Sequence, residues 1–130
     1  MGQTLEMLLA ADPSKIKNIP TGKVEIKRLS RELGQPFFIS YRAGTLEELK
    51  EIGQNANGDD IEEMKWAIYM LSSDPDFKSR ELREKYGVKR PVDIVSTILL
   101  GGEILMVYNA IMKLSGFERG RGVNIDDVKN

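Results

Sequence analysis

STILLGGEILMVYNAI, residues 96–111, sets two glycines inside an otherwise apolar run. Read as a membrane span, a phosphate loop or a corner between two packed helices, it leads to three different kinds of protein. Only nine residues, 94–102, separate Asp93 from Glu103, whereas a bilayer-spanning helix needs about twenty apolar residues. A phosphate loop of the GxxxxGK[ST] or GxGxxG kind is ruled out by Glu103, which follows the glycines and repels phosphate. A tight corner between two core helices remains, since glycine is the usual helix stop. One of Gly101 and Gly102 is therefore expected at positive φ.

The neighbouring segments fit that reading. Upstream, Pro91 stands at a helix start, where its missing N–H does no harm, and Val92, Val95, Ile98 and Leu99 form an apolar stripe. Downstream, residues 103–116 read as a final helix with Ile104, Leu105, Tyr108, Ile111 and Met112 on one face and Gly116 as its stop. SRELREKYG, residues 79–87, is a short helix opened by Ser79, and DPDF before it is a turn. DIEEMKWAIYMLSS, residues 60–73, aligns Ile61, Met64, Ala67, Ile68 and Leu71. TLEELKEIGQNA, residues 45–56, begins with a capping box, Thr45 and Glu48.

Before residue 45 the period changes. KVEIKRLS, residues 23–30, alternates and reads as a half-buried strand. RELGQP supplies turn residues, and FFISYRAG, residues 37–44, is rich in aromatic and β-branched side chains. The N-terminus reads as a short amphipathic helix with Leu5, Leu8 and Leu9 on one side, ended by Pro13; it lacks the basic start of a signal peptide. The expected fold is α+β: an N-terminal β-hairpin over residues 22–44, then a bundle of about five α-helices over 45–116. Residues 1–117 make one domain and 118–130 a flexible tail.

Composition narrows the chemistry. The 130 residues include no cysteine and no histidine, which removes disulfides, thiolate chemistry, Ser-His-Asp and Cys-His catalysis and the commonest zinc ligand. No constellation of carboxylates or Lys stands out as a replacement, so no catalytic, metal or cofactor site is expected. The net charge of −1 is uneven: +3 over residues 1–44, −6 over 45–81 and +2 over 82–130. An acidic middle repels a phosphate backbone, so no nucleic-acid partner is expected. NANGDDIEE fails as a calcium loop, because the sixth position from Asn55 is Asp60 rather than glycine.

Two helices carry more apolar surface than one face needs. Trp66, Tyr69 and Met70 lie off the main stripe of residues 60–73, and Met106, Val107 and Leu114 off that of 103–116. Two readings stand for both sets: a partner-binding face, since Trp, Tyr and Met are enriched in interfaces, or helices covered on both sides. These six residues are the candidate partner-binding positions.

The order of features resembles a known family. KVEIKRLSRELGQPFFISYRAGTLEELKEI, residues 23–52, is followed after a linking helix by ELREKYGVKRPVDIVSTILLGGEILMVYNAIMKLSGF, residues 81–117. Leu82 with Tyr86-Gly87-Val88, the pair Gly102-Glu103, and Ile111, Leu114, Ser115, Gly116 and Phe117 carry the likeness. They resemble the XkdN-like tail assembly chaperones of phages and prophages of Gram-positive bacteria, over about residues 3–117, with the tail from Glu118 outside. The resemblance implies a non-enzymatic protein that binds the long tape measure protein, with tail tube subunits as further partners. It keeps the tape measure soluble until tube subunits polymerise around it. It further implies action in the cytoplasm of the bacterial host, no membrane partner, absence from the mature virion, and room for self-association. Chaperones of this kind are often made in two lengths through a −1 ribosomal frameshift, and a zero-frame A-AAA-AAC slip site encodes Lys-Asn, the pair at Lys129–Asn130. The rival readings are a small bacterial adaptor or regulatory module and a structural component of the virion tail.

Overall fold

The alternation that begins at residue 21 stops at Ile26, and the chain changes conformation there. In the computed structural model, which describes residues 2–117, Thr21–Glu25 forms β1. Lys27–Leu33 then forms a helix, numbered α3 after α1 (Gln3–Ala10) and α2 (Pro13–Lys17). KRLSREL has the straight-chain residues of a helix, and Gly34, at φ 75°, closes it in the left-handed conformation. The Ser30 hydroxyl donates to Glu25 at 2.7 Å and accepts the Phe37 N–H at 2.8 Å, tying α3 to both flanking strands. β2 (Phe38–Arg42) returns antiparallel beside β1 with Val24 opposite Ile39.

The expected N-terminal hairpin is thereby corrected to a strand–helix–strand unit. A third strand, β3 (Ser72–Asp74), pairs antiparallel with β2, so the sheet order is β1-β2-β3. Sequence placed these residues at the end of a helix and in a turn; three residues are too few to show a period. The described residues hold eight α-helices where about five were expected. The surplus lies before β2: α1 is the N-terminal helix expected from Leu5, Leu8 and Leu9, whereas α2 and α3 were not expected. The Lys129–Asn130 pair and the tail expected over 118–130 fall outside the described residues.

α4 (Leu46–Ala56) and α5 (Asp60–Leu71) follow β2. Thr45 and Glu48 form the expected capping box, and Arg42 grips the same carboxylate with bonds of 2.8 and 2.6 Å. The Arg42 guanidinium holds the Glu48 carboxyl down to about 2. Asp59 caps α5 by accepting the N–H groups of Ile61 and Glu62. α6 (Arg80–Lys85) starts on Ser79 as expected. A 3₁₀ turn at Pro91–Asp93 leads into α7 (Ile94–Ile98), and α8 (Gly101–Leu114) completes the described chain.

α5 is central, packing on α4, α7, α8 and β2, while α8 also lies across β1 and β2. Ile26 and Ile39 from the sheet meet Ala67, Ile68 and Leu71 of α5, Ile94 and Val95 of α7, and Ile104, Val107 and Ile111 of α8. Phe77, just after β3, is buried among them. The expected stripe residue Ile61 leaves the core, 64% exposed, and Leu46 at the start of α4 is 82% exposed. Lys65 takes a buried place on α5, with its Nζ 2.6 Å from Asp93 and 3.1 Å from Glu62. Burial works to lower this ammonium, but the bonds to Asp93 and Glu62 outweigh it and hold it above its ordinary value.

The corner exists, though glycine conformation does not make it. The segments Pro91–Ile98 and Gly101–Leu114 meet at 113°. Leu99 and Leu100, both extended, carry the turn, with ψ 143° and 162°. Gly101 and Gly102 sit in the first turn of α8, and among the described residues the positive-φ glycines are Gly34, Gly58, Gly87 and Gly116. The expectation of a left-handed glycine here is therefore corrected. A Cβ on Gly101 meets nothing within 4 Å, so Gly101→Ala should raise stability by about 0.5 kcal/mol by restricting the unfolded chain. Thermal melting checks this, and a lowered midpoint contradicts it. No single helix among the described residues is long and apolar enough to cross a membrane.

Candidate partner-binding surface

α8 has two faces. Ile104, Val107 and Ile111 recur every three or four residues and point inward, at most 6% exposed. The opposite face carries Gly102, Leu105, Met106, Asn109, Ala110 and Lys113, which line an open groove of about 410 Å³. Leu105 is 48% and Met106 40% exposed. The groove runs into a second depression of about 380 Å³, which shares Ala110 and Lys113 and adds Pro20, Tyr41 and Leu114. Among the described residues, Lys113 is the only charged side chain in either lining.

The floor of the second depression depends on a glycine. Gly22 stands opposite Tyr41 in the β1–β2 ladder, and a Cβ there would come to 3.0 Å from the Tyr41 ring and hydroxyl. Only hydrogen leaves room for the tyrosine to lie across β1. Burial raises the Tyr41 hydroxyl above its ordinary value, so it adds no charge to a lining that already holds Lys113.

The six candidate positions separate in space. Met106 stands in the open groove, and Leu114, half-buried, lines the second depression. Val107 is fully buried in the core and has no surface to offer; its place in the candidate set is corrected. Trp66, Tyr69 and Met70 are half-buried and packed against the core. The Trp66 and Tyr69 rings meet edge to face, with centroids 5.6 Å apart. Trp66 Nε1 is buried and finds no hydrogen-bond acceptor among the described residues.

Sequence reasoning placed Leu105 on the buried face and passed over Gly102, Ala110 and Lys113. Residues 102, 105, 106, 109 and 113 share one side of a 3.6-residue helix. The spacing was visible, but an almost wholly apolar helix does not say which side is covered.

The charged clusters serve the fold. Lys65, kept protonated by its carboxylate partners, has no free electron pair for attack at neutral pH. The Tyr108 hydroxyl donates to Glu63 at 3.0 Å, and burial first, then Glu63, raises it well above its ordinary value. Arg90 pairs with Glu62 beside the same lysine. Among the described residues no three His, Cys, Asp or Glu side chains gather to hold a metal ion.

Comparison with known proteins adds to this geometry. The family model described as phage XkdN-like tail assembly chaperone protein matches residues 5–129. The match continues past Phe117, so the segment expected to lie outside the family pattern falls within it. No curated protein matches the chain. A crystal structure of the protein YqbN is similar over 84% of this chain and 99% of that one, with 25% identity and a TM-score of 0.63.

Proposed function

Since this chain belongs to the phage XkdN-like tail assembly chaperone family, we propose that it binds the tape measure protein and keeps it soluble while the tail assembles. The observation that carries this reading is the exposed apolar groove on the outer face of α8. Leu105 and Met106 give it two large apolar contacts, and Gly102 lets a helix backbone approach closely. A groove of this kind takes an amphipathic helix through anchors spaced three and four residues apart. Tape measure segments exposing apolar helical faces are the fitting occupants, and tail tube subunits would displace the chaperone as they polymerise. The role is non-catalytic. It places the protein in the host cytoplasm during assembly and outside the finished particle.

Co-expression with the tape measure protein of the same phage or prophage tests the proposal. The wild-type chain should co-purify with the tape measure and keep it in the soluble fraction, and Met106→Asp should reduce recovery of the complex at least tenfold. A tape measure equally insoluble with and without the wild-type chain overturns the role. Wild-type recovery that Met106→Asp leaves unchanged overturns the choice of surface. Finding the chain in purified virions would favour a structural tail component instead.

A further inference from the structure

β1 ends the sheet with its outer edge open. The Ile26 N–H donates to the Phe37 carbonyl at 3.0 Å and the Ala43 N–H to the Pro20 carbonyl at 2.9 Å. These two bonds fix the phase of the antiparallel ladder. The even-numbered residues of β1 bond to β2, and the N–H and C=O groups of Thr21, Lys23 and Glu25 point the other way. Among the described residues no hydrogen bond reaches those groups, and β2 is the only strand beside β1. Donors and acceptors therefore alternate along one open edge, a pattern that another extended backbone matches. Between residues 15 and 27 the chain carries Lys15, Lys17, Lys23 and Lys27 and one acid, Glu25. None of these lysines is ion-paired among the described residues. The Glu25 carboxylate accepts from the Ser30 hydroxyl, and the Lys23 Nζ lies 4.8 Å from the centre of the Phe38 ring.

We propose that the outer edge of β1 receives an extended acidic segment of a partner protein as a fourth strand. A second β1 does not fit there. Pairing antiparallel about its centre would set Lys23 against Lys23, and like charges directly opposite are destabilising. Lysine on an edge strand is a common guard against such pairing, and an acidic strand turns the same lysines into attraction. Alternate side chains of the added strand point to opposite faces of the sheet. On the α8 side its neighbour is Gly22, which contributes no side chain, and the Tyr41 ring that lies across it belongs to the depression of Pro20, Ala110 and Leu114. Apolar side chains suit that row. On the other side the neighbours are the exposed Thr21 and Lys23, which suit Asp or Glu. Nucleic acid would match the lysines but offers no N–H groups in register with the β1 carbonyls. The proposal concerns β1 and does not depend on Leu105 and Met106 as tape measure contacts.

Nuclear magnetic resonance on the full chain, with an acetylated and amidated peptide of four Val-Asp repeats as the probe, tests it. The peptide should shift the amides of Thr21, Lys23 and Glu25 and slow their exchange with solvent. The amides of Gly22 and Val24, already bonded to β2, should exchange as before. A peptide of Val-Lys repeats should bind about fivefold more weakly or not at all. Lys23→Glu should weaken binding of the Val-Asp peptide about fivefold, the scale of one exposed attraction turned to repulsion. Lys23→Pro removes an outward N–H that β2 does not use, a change that an edge strand tolerates. It should abolish the protection of Thr21 and Glu25 while Val24 stays protected; should that variant fail to fold, Lys23→Glu still decides. Outward amides that never respond to the Val-Asp peptide overturn the proposal, as does equal binding of the Val-Lys peptide. Slow exchange of the three amides in the chain alone overturns it too, because the edge would then be covered already. Met106→Asp should leave peptide binding unchanged, so failure here and failure with the tape measure protein are told apart.

Discussion

Val107→Asp should leave little folded protein, while Met106→Asp, one residue away, should melt close to wild type. Val107 is 0% exposed between α5 and the sheet, and Met106 is 40% exposed on the far side of α8. A carboxylate at 107 must either stay charged in an apolar interior or take up a proton and remain without a hydrogen-bond partner. A cost of about 4 kcal/mol or more is expected, a large part of the stability of a domain this size. At 106 the same change costs only helix propensity and a little apolar contact, within about 1 kcal/mol. Circular dichroism melts of the two variants decide the phase of α8. Equal melting temperatures would mean that the helix is rotated from the orientation described.

Glu103→Ala should cost about 2–3 kcal/mol, a large effect for a side chain away from the apolar core. Glu103 does two things at the α7–α8 corner. Its Oε1 accepts the Leu100 N–H at 2.8 Å, satisfying a donor at the start of α8. Both its oxygens accept from Arg28 of α3 at 2.9 Å, and Arg28 also donates to the Ile98 carbonyl at the end of α7. One guanidinium thus joins α3, α7 and α8. The Arg28 bonds hold the Glu103 carboxyl below the usual carboxylate range. The pair is partly open, with Arg28 33% and Glu103 16% exposed, so its charge is screened and the cap contributes a comparable share. Urea unfolding of Arg28→Ala, Glu103→Ala and the double variant separates the two. Fully additive losses would show that the cap acts alone.

Local chemistry was legible in the sequence, and relations between distant segments were not. The caps at Thr45 and Ser79 followed from side chains reaching three residues along the chain. α3 was missed because Val24, Glu25 and Ile26 continue an alternation that the next seven residues break, and the break is too short to show its own period. Nothing along the chain marks Lys65 for burial, because the carboxylate that lets it be buried, Asp93, lies 28 positions away. Glu103 was read as a group that repels phosphate and as half of the Gly102-Glu103 pair, not as an ion-pair partner, since Arg28 is 75 positions distant. The groove was half legible: Met106 and Leu114 line it, whereas Leu105 was turned inward by a choice of phase that only packing against β1 and β2 settles.

That packing also has a consequence in time. Residues from 26 to 77 supply much of the core, but Ile104, Val107 and Ile111 close it. At roughly 5–20 residues per second, about ninety residues from β1 to the end of α8 take roughly 5 to 20 s to synthesise. During that interval Ile26 and Ile39 have no α8 to cover them. The core therefore closes, and the groove is formed, only after nearly the whole described chain has been made.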